Sequence, residues 1–91
     1  MLDIVIRSDG VVALIGRLDA AQADRTLRTL GALPGPLVID CTGLEYLSSA
    51  GLGVIVQTYK RLNGAQSLAG VQPHIRNVFM YAGLLDLLNI T

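Results

Sequence analysis

The chain has no tryptophan, one phenylalanine and three tyrosines. An aromatic core is thereby excluded. With 52% of its residues hydrophobic, the interior must be built from Leu, Ile, Val and Ala. Cysteine and histidine occur once each, as Cys41 and His74. A single cysteine allows no intrachain disulfide, which suits a reducing compartment. Cys41 directly follows an apolar run and is expected to be a buried, inert thiol. A lone histidine without spaced carboxylates is no metal signature, and His74 is expected on the surface of a helix.

Charge of either sign is also scarce. Seven basic and seven acidic residues cancel, which argues against a nucleic-acid partner, because that demands a basic surface to displace counterions. It equally disfavours a polybasic membrane face. No apolar run approaches the ~18 residues of a spanning helix, so no membrane insertion is expected. Met1-Leu2-Asp3-Ile4 has neither the basic start nor the apolar block of a signal peptide. These absences point to a cytoplasmic protein. Ninety-one residues hold one domain, residues 1–91, around one core.

What is present alternates between strand and helix patterns. Leu2 to Arg7 reads as a strand, Asp9-Gly10 as a hairpin turn, and Val11 to Gly16 as the returning strand. The continuous apolar run of that second strand predicts cover on both its faces. Asp19 is placed as a helix N-cap with Gln22 completing a capping box. The helix runs to about Leu30, with Ala20, Ala23, Leu27 and Leu30 inward and Asp24, Arg25 and Arg28 in water. Pro36 to Asp40 reads as a central parallel strand, and Cys41 to Leu47 as a loop. A second helix starts near Ser49 and ends near Leu62, with Leu52, Ile55, Val56, Tyr59 and Leu62 facing the core. Ala65 to Val71 is a weaker strand. Pro73 opens a third helix with Ile75, Val78, Phe79 and Ala82 inward, and Leu84 to Leu88 folds back as one more short turn or helix. This order predicts one sheet with helices against it. Sheets of that kind place function at the carboxyl ends of parallel strands, where the Asp40–Ser49 loop lies.

In that loop two serines stand together, Ser48 and Ser49, followed by Ala50, Gly51 and Gly53. One hydroxyl suffices to cap a helix. On the plainer reading Ser48 caps, Ser49 is the first helical residue, and the glycines permit close packing. On the sharper reading the free N–H groups and partial positive charge of the helix start favour an anion. A phosphate on one serine would then switch a docking surface, with Gly51 and Gly53 leaving that end open to a partner. Catalysis is poorly supported, because a nucleophilic serine needs a base and His74 lies on another segment. Gly51-Leu52-Gly53 lacks the GxxxxGK[ST] pattern of a phosphate loop, and no cofactor is expected.

The stretch "VIDCTGLEYLSSAGLGVIVQTYKRL" resembles the signature of STAS domains, specifically the bacterial anti-sigma factor antagonists. "GRLDAAQADRTLRTL" resembles their Gly-x-Leu-Asp lead-in to the first helix, and "GVQPHIRNVFMYAGLLDLLNI" their closing helix. The resemblance implies a small α/β domain, a mixed four- to five-stranded sheet with helices packed mainly on one face. It implies partner switching: the unmodified protein binds an anti-sigma factor that is also a serine kinase, phosphorylation releases it, and a serine phosphatase restores it. The phosphoacceptor falls on Ser49. The implied partner surface comprises Asp19, the Asp40–Ser49 loop with Thr42 and Ser48, and the exposed side of the second helix with Gly51 and Gly53. The family pattern has Asp before the acceptor, whereas Ser48 stands there, so the choice between Ser48 and Ser49 stays open. Many members continue into a longer terminal helix, whereas this chain stops at Thr91.

Other functions suit the same residues. Related STAS modules serve as scaffolds in stress-signalling assemblies, beside lipid-transport ATPases and in anion transporters. Nucleotide binding has been proposed for some members, with no motif for it here. An enzyme is the weakest reading: Asp19, Asp40 and Glu45 would have to converge near the serines. Glu45 reads better as a solvated loop residue, and Asp19 and Asp40 as an acidic rim for a basic partner.

Overall fold

Asp9 and Gly10 close a hairpin between β1 (Leu2–Ile6) and β2 (Val12–Leu18) in a computed structural model that describes every residue, Met1–Thr91. Gly10 takes φ +86°, the left-handed region that glycine enters at little cost. The Asp9 carboxylate accepts the Val11 amide at 3.0 Å. Six further elements follow: α1 (Ala20–Gly31), β3 (Leu37–Asp40), β4 (Leu44–Leu47), α2 (Ser49–Arg61), β5 (Gln66–Ala69) and α3 (Pro73–Tyr81).

The sheet has five strands in the order β1-β2-β3-β5, with β4 also paired to β2. β1 is antiparallel to β2, and every other pairing is parallel. β3 pairs with the start of β2, at Val12 and Ala13, and β4 with its end, from Gly16 to Leu18. The two short strands therefore run in succession along one edge of β2. Val12, Ile39 and Leu68 stand side by side in register and are buried, as is Leu14. Leu30 of α1, Val54 and Ile55 of α2, and Ile75 and Phe79 of α3 join them in a single core. Burying side chains of this size contributes roughly 1.5–3 kcal/mol each. The fold is thus the small α/β domain that the sequence implied, with its helices on one face.

Several local expectations give way. Residues 41–47 are not all loop, since Leu44–Leu47 form β4. The period of two is hidden because β4 carries an extra residue, Glu45, between the partners of Gly16 and Arg17, so Leu44 and Leu47 are buried while Glu45 and Tyr46 between them are exposed. β2 is covered on one face only, and Ile15 keeps 43% of its surface exposed because no helix lies on that side. Ala20 and Ala82 are exposed rather than inward, and Thr26 takes the buried place in α1, its hydroxyl donating to the Gln22 carbonyl. The buried line of α2 is Gly51, Val54, Ile55 and Thr58. Leu52, Val56, Tyr59 and Leu62 pack half-buried at its flanks. Finally, the C-terminal residues return to the sheet: the Leu68 amide donates to the Asn89 carbonyl and the Thr91 amide to the Leu68 carbonyl. No helix is long and apolar enough to cross a membrane.

Candidate functional site at the start of the second helix

Leu18 and Leu47 lie opposite each other at the ends of β2 and β4. The residues that follow them, Asp19 and Ser48, are therefore neighbours, and each begins a helix. The Ser48 amide donates to the Leu18 carbonyl at 3.0 Å, which ties the start of α2 to the end of β2. With extended backbone (φ −84°, ψ 171°), Ser48 is the N-cap, and its Oγ accepts the Gly51 amide at 3.1 Å. Ser48 is half-buried. Ser49, the first helical residue, is exposed, and its hydroxyl makes no hydrogen bond. The two serines thus differ in kind.

Gly51 faces inward. A Cβ there would lie 2.7 Å from both Leu18 Cγ and the Leu18 carbonyl oxygen, and 2.9 Å from Leu47 Cδ1. Its absent side chain lets the helix start sit down on the sheet, so Gly51 is a packing residue and not a surface one. Gly53 has nothing within 4 Å of the equivalent position. Ser49, exposed Ala50 and Gly53 form a bare outer surface one helical turn long. No acidic residue lies in the first turn of α2, so the partial positive charge of the helix start is uncompensated by its own side chains.

Asp19 occupies the N-cap position of α1, but no side-chain cap forms there. Both halves of the capping box fail: the Gln22 backbone amide donates to the Asp19 carbonyl rather than to its side chain, and the Gln22 side-chain oxygen accepts from Arg25 Nη2. Asp19 Oδ1 is buried without a donor, a state that costs about 1–3 kcal/mol for an unsatisfied acceptor.

Asp40 and Thr42 form a separate cluster. Asp40 pairs with Ala13, five residues before Leu18 on β2, which places it roughly 16 Å along the strand from the serines at ~3.3 Å per residue. Asp19, Asp40 and Glu45 therefore do not converge. Asp40 Oδ1 accepts both the Thr42 hydroxyl (2.6 Å) and the Thr42 amide (2.9 Å), while Oδ2 accepts Arg7 Nη1 at 3.0 Å. The Thr42 hydroxyl and amide, aided by the Arg7 guanidinium, hold the Asp40 carboxyl below its ordinary value against the opposing effect of burial. Cys41 between them is buried, and desolvation, with the neighbouring Asp40 charge, pushes its thiol up to about 12.

Three contacts around the site join residues far apart in sequence and had no local signal. Gln72 Nε2 donates to the Thr42 carbonyl at 2.7 Å, and His74 Nε2 lies 2.8 Å from the Glu45 carbonyl oxygen. Both fasten the α3 start to the 40–47 segment. His74 is a surface residue as expected, and it meets a backbone oxygen rather than a serine. Arg17 stacks over the Tyr46 ring, 4.2 Å from its centroid, beside the ends of β2 and β4.

Comparison with known proteins agrees with this architecture. A crystal structure of an anti-sigma factor antagonist from Mycobacterium paratuberculosis superposes with a TM-score of 0.82 at 25% identity, covering 99% of this chain and 83% of that one. SpoIIAA in its unphosphorylated form gives 0.76 at 16% identity, covering 100% and 86%. The phosphorylated form of the Bacillus cell fate determinant SpoIIAA gives 0.70 at 18%, covering 100% and 89%. By sequence, the chain is 37% identical over 71 residues to BtrV of Bordetella bronchiseptica (strain ATCC BAA-588 / NCTC 13252 / RB50), named as a candidate anti-sigma factor antagonist. That match covers 75% of this chain and 55% of BtrV, so the chain spans about half the length of that relative. The family model described as the STAS domain matches residues 3–91, and the chain belongs to the STAS domain family.

Proposed function

We propose that this protein is an anti-sigma factor antagonist that works by partner switching in the cytoplasm, with Ser49 as the phosphoacceptor. Unphosphorylated, it binds an anti-sigma factor that is also a serine kinase. Phosphate on Ser49 releases it, and a serine phosphatase resets it. It acts by binding and not as an enzyme.

The observation that carries this reading is the division of labour between the serines. Ser48 spends its hydroxyl on the Gly51 amide, whereas Ser49 is exposed and unbonded at an uncompensated helix start. A phosphate there would add about −1.5 to −2 charges where the helix favours an anion by ~0.3–1 kcal/mol. The host fold would tolerate the modification, and a partner seated on Ser49, Ala50 and Gly53 would meet bulk and charge. BtrV supports the antagonist role by name, and SpoIIAA is a protein of this fold with a phosphorylated form. Asp19 and Ser48 would border the contact. Asp40 and Thr42 would meet the same partner only if it extends along β2, and the Arg17–Tyr46 stack lies nearer.

The test is incubation with the cognate anti-sigma kinase and ATP, followed by mass mapping. Phosphate is expected on Ser49, with Ser49→Ala taking none and Ser49→Asp losing affinity for the kinase. Modification confined to Ser48, or unchanged affinity in Ser49→Asp, would overturn the assignment.

A further inference from the structure

β1 is an unguarded sheet edge. It pairs with β2 on one side, and nothing in the fold pairs with it on the other. Natural edge strands are usually blunted by proline, lysine or a bulge. β1 has none of these, and its register against β2 is regular from Leu2 to Ile6. The Arg17 amide donates to the Met1 carbonyl and the Arg7 amide to the Val11 carbonyl, each at 2.9 Å. Because backbone groups alternate in direction along an antiparallel pair, the odd residues of β1 face β2. Leu2, Ile4 and Ile6 turn their N–H and C=O groups outward. Arg25 Nη2 takes the Leu2 carbonyl, so Ile4 and Ile6 are the open rungs. The Ile6 side chain is 53% exposed there.

We infer that β1 pairs antiparallel with β1 of a second copy, about a two-fold axis through Val5. The sequence of the edge selects both occupant and register. With the axis at Val5, Ile4 faces Ile6 of the second copy, and each such pair exchanges both N–H···O bonds. Val5 meets Val5. Asp3 stands opposite Arg7 of the second copy, twice by symmetry, in the non-hydrogen-bonded positions where side chains come closest. Moving the axis to Ile4 sets Asp3 against Val5, and moving it to Ile6 sets Asp3 against Asp9. Only the Val5 axis is charge-complementary. Asp3 forms no ion pair within its own chain, while Arg7 commits Nη1 to Asp40 and lies with Nε 3.8 Å from Asp9, leaving Nη2 for Asp3. The pairing covers the exposed Ile6 with Ile4 of the other copy and extends two five-stranded sheets into one. Isologous pairing of this kind closes after two copies. Ser49 follows β4, which lies on the opposite edge of β2 from β1, so both switch sites of the pair stay open.

The test is sedimentation equilibrium across a concentration series, with amide exchange read by NMR. A reversible dimer is expected, in which exchange at Ile4 and Ile6 slows as concentration rises. Asp3→Arg, which leaves the Arg7–Asp40 pair intact, sets like charges opposite and should weaken the dimer by roughly tenfold or more. Mixing Asp3→Arg with Arg7→Asp restores both opposite-charge pairs and should recover a heterodimer. Circular dichroism checks that each variant is folded, and if Arg7→Asp is not, Asp3→Arg and the amide exchange decide alone. A wild-type monomer up to about 1 mM overturns the inference. So does a dimer that Asp3→Arg leaves unchanged or that leaves Ile4 and Ile6 unprotected, since it would form through another surface.

Discussion

The Ser48 hydroxyl accepts the Gly51 amide proton at 3.1 Å and so satisfies one of the free donors at the start of α2. Replacing a capping serine by alanine costs about 1 kcal/mol, which for a domain of this size lowers the unfolding midpoint by roughly 4–8 °C. Ser48→Ala should show that loss in thermal unfolding. Ser49→Ala, which removes no hydrogen bond, should stay within about 0.5 kcal/mol of the native protein. Equal losses in the two variants would mean that the serines share the cap.

Gly51 and Gly53 make the opposite pair of tests. Alanine at Gly51 would drive a methyl group into Leu18 and Leu47, and overpacking of this kind costs about 1–3 kcal/mol. Alanine at Gly53 meets open space and should gain about 0.5–1 kcal/mol from helix propensity. Denaturant unfolding measures both. If Gly51→Ala is as stable as the native chain, α2 can lift from the sheet.

Asp40 gives the fold an acid dependence. Its folded pKa lies below the ordinary 3.8 because Thr42, through hydroxyl and amide, and Arg7 favour the carboxylate. A depressed folded pKa contributes stability that is present above the unfolded value and is lost as pH falls through the folded one. Asp40→Asn should therefore be less stable than the native protein at neutral pH, with the gap closing below about pH 4. Thermal midpoints measured across the acid range check this, and a gap independent of pH would assign the loss to packing.

Legibility in the sequence followed the range of the interaction. Asp9-Gly10, Pro73 at the first turn of α3 and the serine before α2 act within a few residues, and each marked its element correctly. Cys41 behind an apolar strand was equally readable. β4 was not, because an extra residue, Glu45, bulges between Leu44 (opposite Gly16) and Tyr46 (opposite Arg17) and breaks its alternation. Asp19 read as a cap because its spacing to Gln22 is right, yet the Gln22 amide goes to the Asp19 carbonyl and its side chain to Arg25. The exposed face of β2 was hidden too: Ile15 is as apolar as Leu14 beside it, and only the one-sided placement of the helices separates them. At the candidate site Ser48 read as the cap, while the phosphoacceptor fell on Ser49 only by resemblance to the family, with Ser48 as the alternative. Burial and one hydrogen bond distinguish them, and neither can be read from adjacent identical letters.

The tight seat of Gly51 on Leu18 and Leu47 has a consequence for signalling. A helix wedged this closely, and fastened through the Ser48 amide to the end of β2, has little room to slide or tilt when its first residue changes. Information written at that residue would pass to the outside as an altered electric field and outline rather than as a rearranged shape. Recognition could then diverge among relatives by changes to the outer turn alone, leaving the interior that supports it untouched.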